Sequence, residues 1–367
     1  MKQFDRFAME YLPLKDRYSK VDIVEASVDV QPMDVGMLDE DVRNRIQCIA
    51  DEILAARRNG ASVICAFGAH SIKNGLGHLL GSFLEHDWFT HLCTNGAGII
   101  HDWEFAYQGK SSEDVRANVR EGHFGTWSET GLYINLAIAI GAYRGLGYGE
   151  SVGSMIVHDG LDIPPVDQLM AEGCDASLPL EKRAAALDLA KEIRDCHITE
   201  GFMTIPHPYK RYCIQSYAFE TGKPFTSHPM FGHDIIYTHY ANQGASIGRT
   251  AERDFLSYAD SVSHLEHGVY LSVGSAVMSP MIFEKSLSMS RNVLQRQGKD
   301  IKDCHLHIVD LQKSAWDWSK GEPPMDNPAY YLRFMKTFNR MGCPVDYTCL
   351  DNKLFFLALY TMLKERG

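Results

Sequence analysis

The sequence of 367 residues has no cysteine framework. Its nine cysteines are scattered along the chain, and no two of them form a CxxC pair. An odd number of cysteines without regular spacing is typical of proteins that keep free thiols in a reducing compartment. We therefore expect a cytoplasmic protein whose fold does not depend on disulfide bonds.

The sequence also lacks long apolar runs and an excess of positive charge. No apolar run reaches the length of a membrane span, and the N-terminal segment MKQFDRFAMEYLPLKDR has no apolar signal-peptide core. The net charge of −11 argues against nucleic acids and anionic membranes as partners, but it is compatible with a small cationic substrate. With 45% apolar and 23% charged residues, the composition is that of an ordinary globular protein.

The order of the remaining patterns predicts an α/β fold. Buried strand patterns such as ASVICAF alternate with segments whose apolar residues recur at helical spacing, which is typical of a parallel sheet with helices on both faces. We expect residues 61–367 to form a Rossmann-like domain and residues 1–60 a helical extension, together one continuous globular unit. Residues 111–120 are expected to form a short helix with Ser111 or Ser112 as its N-cap.

Four predicted strands end in small or polar residues, in the segments FGAHSIKNG, TNGAGIIHD, VGSAV and CLDN. In open α/β sheets, ligands bind beyond the carboxyl ends of the strands, where small residues let them approach the backbone. A single glycine such as Gly68, Gly96 or Gly274 is better explained by a tight turn, but four such ends in one sheet favour a binding crevice. Spacing alone does not identify the ligand, because no GxGxxG motif follows a strand in the required context.

The same segments resemble the deoxyhypusine synthase family. The resemblance rests on TNGAGIIHDWEFAYQGKSSEDV, GAHSIKNGL, SHPMFGHDIIYTH, GSAV and PVDYTCLDNKLFFLALYTML, and it covers roughly residues 61–363. It implies NAD bound at the interfaces of a homotetramer, and an aminobutyl group transferred from spermidine to a lysine of a translation factor. The first step of that reaction is hydride transfer from the polyamine to NAD, and an imine to an enzyme lysine follows.

The resemblance also implies roles for individual residues. His101 would lie beside the dinucleotide, His233 or Asp234 would make a further contact, and Asp351 would hold a ribose hydroxyl. The acidic candidates for a cationic amine are Asp102, Glu104 and Asp234. The residues implied to contact NAD occupy the turns after several strands: Gly68, Ala69, His70, Lys73, Asn95, Gly96, Ala97, Ser275, Asp310, Asp351 and Asn352.

The catalytic lysine of the family has two possible counterparts here. Lys320, in the segment WSK, matches the local motif, and Lys336 has nearly the right spacing from the last strand. Pro280 and Met281 occupy the place of the family's substrate-binding histidine. We therefore expect an NAD-dependent enzyme that acts at a C–N bond of a polyamine or related amine, with or without alkyl-amine transfer. This interpretation requires NAD and no metal, and its catalytic candidates are His101, Asp102, His233, Asp234 and Lys320.

Two other functions are compatible with the sequence. The first is a metal-dependent hydrolase, because imidazole and carboxylate ligands suit catalytic zinc or manganese. Its candidate ligands are His101, Asp102, His233, Asp234 and His239. The second is an NAD-binding protein without catalytic activity, which would use the same strand-end turns.

Overall fold

A computed structural model describes residues 1–366 of the chain. The described part contains ten strands: β1 (Ser19–Asp22), β2 (Val63–Phe67), β3 (His91–Thr94), β4 (Lys110–Glu113), β5 (Gly160–Ile163), β6 (Gly201–Thr204), β7 (Phe225–Ser227), β8 (Val269–Val273), β9 (His305–Asp310) and β10 (Val345–Cys349). The α-helices of the same part are α1 (Ile23–Ala26), α2 (Glu40–Arg58), α3 (Ala69–Lys73), α4 (Gly77–Glu85), α5 (Gly96–Gln108), α6 (Val115–Glu121), α7 (Ser128–Arg144), α8 (Tyr148–Val157), α9 (Val166–Cys174), α10 (Leu180–Asp195), α11 (Ile214–Thr221), α12 (Gly244–Ser263), α13 (Met278–Arg296), α14 (Arg333–Asn339) and α15 (Asn352–Arg366).

Six of the strands form one parallel sheet in the order β10-β9-β8-β2-β3-β7. Counted along the chain, these six strands have the order 3-2-1-4-5-6, which is that of the dinucleotide-binding Rossmann fold. The two remaining strand pairs, β1 with β4 and β5 with β6, are antiparallel and lie outside this sheet. The predicted Rossmann-like α/β fold is confirmed.

Helices cover both faces of the sheet because its central strands are apolar on both sides. All five residues of β2 are buried. Since successive side chains of a strand point to opposite faces, Cys65 and Phe67 join one apolar core, and Ile64 and Ala66 join the other. The first core includes α2, α4, α5, α7, α8 and α15, and the second includes α12, α13 and α14.

The first 60 residues differ from the expected helical extension. They contain the strand β1, which pairs with β4, and the helix α2, whose Ile46, Ile49 and Ile53 are buried in the first core. Residues 111–120 also differ from the prediction of one helix capped by a serine. Pairing with β1 makes residues 110–113 a strand, and Ser112 has a φ of +73°, which a helix excludes. Helix α6 therefore begins later, with Asp114 as its N-cap.

No helix in residues 1–366 combines the length and the apolar character that crossing a bilayer requires.

A close backbone contact between β2 and β8 lies at Gly68, directly after β2. Its N–H donates to the Val273 carbonyl of β8 at 3.1 Å. A Cβ atom on Gly68 would lie 2.2 Å from the Gly274 carbonyl oxygen, which real side chains do not tolerate. The glycine therefore allows the backbones to meet at the point where the strand order reverses.

We predict that Gly68→Ala lowers the free energy of unfolding by about 1–3 kcal/mol, the usual cost of overpacking. Gly248→Ala is the matched control, because Gly248 lies on an exposed face of α12 and a Cβ there meets no atom within 4 Å. That control should raise stability by about 1 kcal/mol through helix propensity. Urea unfolding measures both changes, and an unchanged midpoint in Gly68→Ala would contradict the contact.

Candidate functional site

The four predicted strand ends lie at one edge of the sheet. β2, β3, β8 and β10 are parallel members of the same sheet, so their carboxyl ends point the same way. This confirms that the four small-residue turns belong to one edge. The chain leaves β2 and β8 in opposite directions, and such a reversal opens a crevice suited to a ligand.

The two glycines at this reversal have different physical roles. The Gly274 carbonyl oxygen occupies the space that a Gly68 side chain would need. Gly68 therefore lets the two strands pack together and does not make room for a ligand. Gly274 has a φ of +59°, and a side chain there would meet no atom within 4 Å. The hydroxyl of Ser275 accepts a hydrogen bond from the Ser279 N–H at 3.2 Å, at the start of α13. The turn after β8 therefore leaves open space beside the crevice.

The last predicted segment contacts the first one through side chains. Asn352 donates through Nδ2 to the Ser71 hydroxyl at 3.2 Å and accepts from Asn74 Nδ2 at 2.9 Å. Asp351 accepts from the Lys353 N–H at 2.9 Å through Oδ1, which leaves Oδ2 outside this bond. Asp310 is placed similarly after β9, where its Oδ1 accepts from the Gln312 N–H at 3.1 Å. In α3, Ala69 and Lys73 are half-buried and His70 is exposed.

The turn after β3 brings Asp234 against the start of α5. Asn95 caps this helix, with Oδ1 accepting from the Gly98 N–H at 3.0 Å. A Cβ atom on Gly96 would lie 2.0 Å from Asp234 Oδ2. The missing side chain of Gly96 thus makes room for a carboxylate that lies 138 residues further along the chain.

A cavity of about 180 Å³ adjoins this turn. It brings together Lys73, Ala97, His101, His233 and Asp234 among the residues predicted for the site. The rest of its wall is formed by Arg17, Ile100, Glu104, Ser112, Glu113, Val115, Phe124 and Ile235.

Asp234 is the unsatisfied acid of this cavity. Its Oδ2 is buried and has no hydrogen-bond partner within residues 1–366. Burial raises the pKa of Asp234 to about 7. The hydroxyls of Tyr148 and Tyr237 are also buried without hydrogen-bond partners. The pKa of each tyrosine is raised, mainly by burial and to a smaller extent by the negative charge of Asp234. Because buried polar atoms are normally paired, this unpaired oxygen makes Asp234 the least satisfied acid of the cavity wall and a candidate for a functional role.

His101 belongs to a chain of hydrogen bonds that ends on a buried ion pair. Its Nδ1 lies 2.7 Å from the Ser111 hydroxyl, which donates to Glu104 Oε2 at 2.5 Å. Since the serine proton points to Glu104, we infer that Nδ1 of His101 carries the ring proton and that Nε2 is the free base. Burial lowers the pKa of His101 to about 4, so the ring is neutral at pH 7.

Glu104 is held as a carboxylate by four hydrogen bonds. Arg17 donates to both of its oxygens at 2.7 Å, and Thr130 donates to Oε1 at 2.9 Å. Burial by itself would raise the pKa of Glu104, but the Arg17 guanidinium holds it below its usual value. Glu104 is therefore saturated, although it was one of the predicted acids for a cationic amine.

Asp102 and the two candidate lysines do not line the cavity. Asp102 is buried and accepts from the Ile214 N–H at 3.1 Å and from the Gln215 N–H and side-chain amide at 3.0 Å, so it caps α11. Lys320 is exposed at the end of a short 3-10 helix, with Nζ 3.5 Å from an Asp317 oxygen. Lys336 lies in α14 with Nζ 3.6 Å from the centre of the Tyr330 ring. The lysine that the fold places at the cavity is Lys73.

The five side chains of the hydrolase alternative do not converge on one point. Asp102 is engaged at α11, and His239 packs against the Tyr11 and Tyr240 rings, at centroid distances of 4.6 and 4.2 Å. The Nδ1 atom of His239 accepts from the Ala241 N–H at 3.1 Å. Only His101, His233 and Asp234 of this set share the cavity.

Arg17, Ser111 and Glu113 are site residues that the sequence did not reveal. Arg17 lies 87 residues from Glu104. Pairing of β1 with β4 brings this N-terminal segment beside Ser111 and Glu113. Burial raises the pKa of Glu113, which adds a second acid to the cavity wall. No local pattern signals this pairing, but the left-handed φ of Ser112 marks a backbone under constraint at the wall.

Sequence comparison does not assign the chain to a family. No model of a known protein family matches it, and no curated protein matches its sequence. Similarity to solved structures is confined to the fold.

Three solved structures illustrate this similarity. An apo arginine dihydrolase of the ornithine–ammonia cycle in cyanobacteria is 12% identical, with a TM-score of 0.43 over 89% of this chain and 32% of that chain. A conserved, candidate LOR/SDH protein of Methanococcus maripaludis S2 is 12% identical, with a TM-score of 0.44 over 91% and 74%. A candidate deoxyhypusine synthase of Entamoeba histolytica is 8% identical, with a TM-score of 0.39 over 92% and 97%. The chain spans about a third of the length of the dihydrolase.

We predict that Asp234→Asn changes how stability depends on pH. The pKa of Asp234 is raised in the folded protein, so the protonated acid stabilises the fold at low pH, and this contribution is lost as the pH rises from about 4 to about 7. Each unit of pKa difference corresponds to about 1.4 kcal/mol, so the wild type should lose up to a few kcal/mol more than the variant over this range.

Urea unfolding at pH 4, 5.5 and 7 measures this difference. Asp254 is also buried with a pKa of about 7, but both proteins contain it, so its effect cancels in the comparison. Parallel stability curves for wild type and Asp234→Asn would show that Asp234 ionises normally.

Proposed function

We propose that the protein is an NAD-dependent enzyme that acts at a C–N bond of a small cationic amine. The observation that carries this proposal is the unpaired carboxylate of Asp234 in the same cavity as the neutral His101. The cavity lies at the carboxyl edge of a sheet with the 3-2-1-4-5-6 order. Arg17 in the cavity wall is paired with Glu104, so the acids Asp234 and Glu113 outnumber the remaining cation, Lys73, which suits an ammonium substrate.

The residues of the crevice fit a dinucleotide. Gly274 leaves open space beside the point where the strand order reverses, and Asp351 and Asp310 each keep one carboxylate oxygen outside the bonds of their own turns. We propose that Asp351 accepts the ribose hydroxyls and that the turn from Gly274 to Ser275 faces the pyrophosphate. NAD bound there would supply the acceptor for a hydride.

The amine would be held and deprotonated by residues of the chain itself. The carboxylate of Asp234 would turn from its packing against Gly96 toward the cavity to hold the ammonium group, and Glu113 is a second acid in the wall. A carbon next to nitrogen releases hydride only when the nitrogen lone pair is free, so the ammonium must first lose a proton. We propose that the carboxylate of Asp234, whose pKa is about 7, takes this proton, and that Nε2 of His101 relays it, because the hydrogen bond from Nδ1 to Ser111 fixes the required tautomer.

The finer parts of the proposal are a polyamine substrate and a homo-oligomeric enzyme. With Glu104 paired to Arg17, the cavity keeps two further acids, Asp234 and Glu113, against one lysine, and we propose that this excess of acids holds an aliphatic amine. Val115, Phe124 and Phe231 expose 50%, 37% and 65% of their surface, and the first two line the cavity. A second copy of the chain that covered them would close the cavity from water, and light scattering on the purified protein measures whether the assembly forms.

We predict that Asp351→Asn weakens NAD binding at least tenfold. Asparagine is as good an N-cap as aspartate, so α15 stays intact, but one oxygen that accepts ribose hydroxyls is lost. Calorimetry with NAD measures the change. Asp39→Asn is the matched control, since Asp39 caps α2 through the same contact, accepting from the Asp41 N–H at 3.0 Å. Equal NAD affinity in all three proteins would remove the ribose assignment, and no NAD binding by the wild type would overturn the proposed function.

We predict that spermidine added to the NAD-loaded protein produces NADH. Asp234→Asn should abolish this reaction because it removes the partner of the ammonium group. The NAD affinity of the variant should stay within about threefold of wild type, because Asp234 is not among the residues proposed to hold the ribose or the pyrophosphate. Absorbance of NADH measures turnover, with Glu121→Gln, an exposed acid at the end of α6, as the control. NAD binding without turnover on polyamines or amino acids would favour the non-catalytic alternative.

A further inference from the structure

A second group of ligating side chains lies away from the cavity. Glu52 of α2 and His305 and His307 of β9 have ligand atoms that all lie within 4.8 Å of one another, and they form the only such group of three found in residues 1–366. The histidines belong to the first half of β9, whereas Asp310 at its end belongs to the crevice. The group is therefore displaced toward the amino ends of the strands, and no residue of the candidate site contributes to it.

The local structure explains why these three side chains meet. His305 and His307 are two residues apart in a strand, so they point to the same face, and their rings are nearly parallel with centroids 6.3 Å apart. The carboxylate of Glu52, on α2, contacts both imidazoles. Its Oε1 lies 3.1 Å from Nδ1 of His305, and its Oε2 lies 2.5 Å from Nε2 of His307.

The outer nitrogen of each imidazole faces an aspartate. His305 Nε2 lies 3.7 Å from Asp303 Oδ1, and His307 Nδ1 lies 3.9 Å from Asp346 Oδ2. Asp346 is the register partner of His307 on β10. These separations are longer than hydrogen bonds, so the aspartates contribute negative charge beside the imidazoles, and a small shift would bring them to where carboxylates orient metal-bound histidines. An ion pair between Glu52 and the histidines alone would not require either aspartate.

The spacing and exposure of the group also suit a metal ion. Zinc ligands at about 2.0–2.1 Å from the metal in a tetrahedral site are roughly 3.3–3.4 Å apart, so the three side chains would need to move by less than about 1 Å. His307 is 5% exposed and His305 37%, which gives the group a buried base and an open side. The exposed thiol of Cys48, one helical turn before Glu52, lies 3.3 Å from Oε1 of Glu52.

We propose that Glu52, His305 and His307 bind one divalent first-row transition metal ion, with water completing the coordination. Two imidazoles and one carboxylate are a donor set that such ions accept. The ion would join α2 to β9, two elements that are 255 residues apart at Glu52 and His307. Because the unfolded chain does not bring these ligands together, binding would stabilise the folded protein.

The test is calorimetry of the metal-free protein with zinc chloride, together with thermal unfolding with and without zinc. We expect one equivalent of zinc to bind and to raise the melting temperature. Glu52→Gln and His305→Ala should each weaken binding at least tenfold and abolish the thermal shift. His264→Ala is the matched control: it removes an exposed histidine whose Nδ1 contacts only its own helix and the neighbouring Ser263, and it should bind like wild type.

Asp303→Asn tests the outer contact without removing a ligand. It should weaken zinc binding about tenfold, which is the usual effect of losing such a carboxylate. The proposal is overturned if wild type binds no zinc, or if Glu52→Gln and His305→Ala bind as tightly as wild type. Cobalt absorption of the wild-type protein gives an independent measurement, because a spectrum identical to that of aqueous cobalt would also overturn it. These experiments use neither NAD nor an amine, so their outcome is separate from that of the proposed function.

Discussion

The buried ion pair between Arg17 and Glu104 is the contact on which the shape of the cavity depends. Two charges in the interior are tolerated only when their remaining hydrogen-bonding capacity is satisfied. Here Glu104 accepts both arms of the guanidinium and the hydroxyls of Ser111 and Thr130. The pair ties the N-terminal segment to α5, and through Ser111 it orients the ring of His101. Loss of either charge would leave its partner unpaired in the core.

The environment gives the acids of this region different properties. Glu104 is saturated with donors, so it stays ionised and has a positioning role. Asp102 has four donors at the start of α11 and is removed from the cavity. Asp234 has no donor on its buried oxygen, and burial shifts its pKa toward neutrality. Whether one of these acids is available to bind a ligand therefore depends on how many hydrogen-bond donors surround its carboxylate, and not on whether it is an aspartate or a glutamate.

The separation of the cavity from the group on β9 follows from the same sheet. Parallel strands give the two ends of the sheet different chemistry, because the turns after the carboxyl ends are followed by helix N-termini. The small residues lie at that edge. The imidazoles of His305 and His307 instead project from the face of β9, where the side of α2 covers them. One sheet thus offers two unrelated chemical environments.

The amino-acid sequence by itself determined the alternation of strands and helices, the parallel sheet and the shared edge of its small-residue turns. These follow from periodicity and from glycines at strand ends, which are local properties. It did not determine that residues 1–60 contribute a strand, or that Ser112 leaves the helical region, because both depend on the pairing of β1 with β4. Tertiary structure alone decided that Asp102 binds the start of α11, that Lys320 does not line the cavity and that Arg17 does. Burial and hydrogen bonding between distant segments set these outcomes, and no spacing along the chain encodes them.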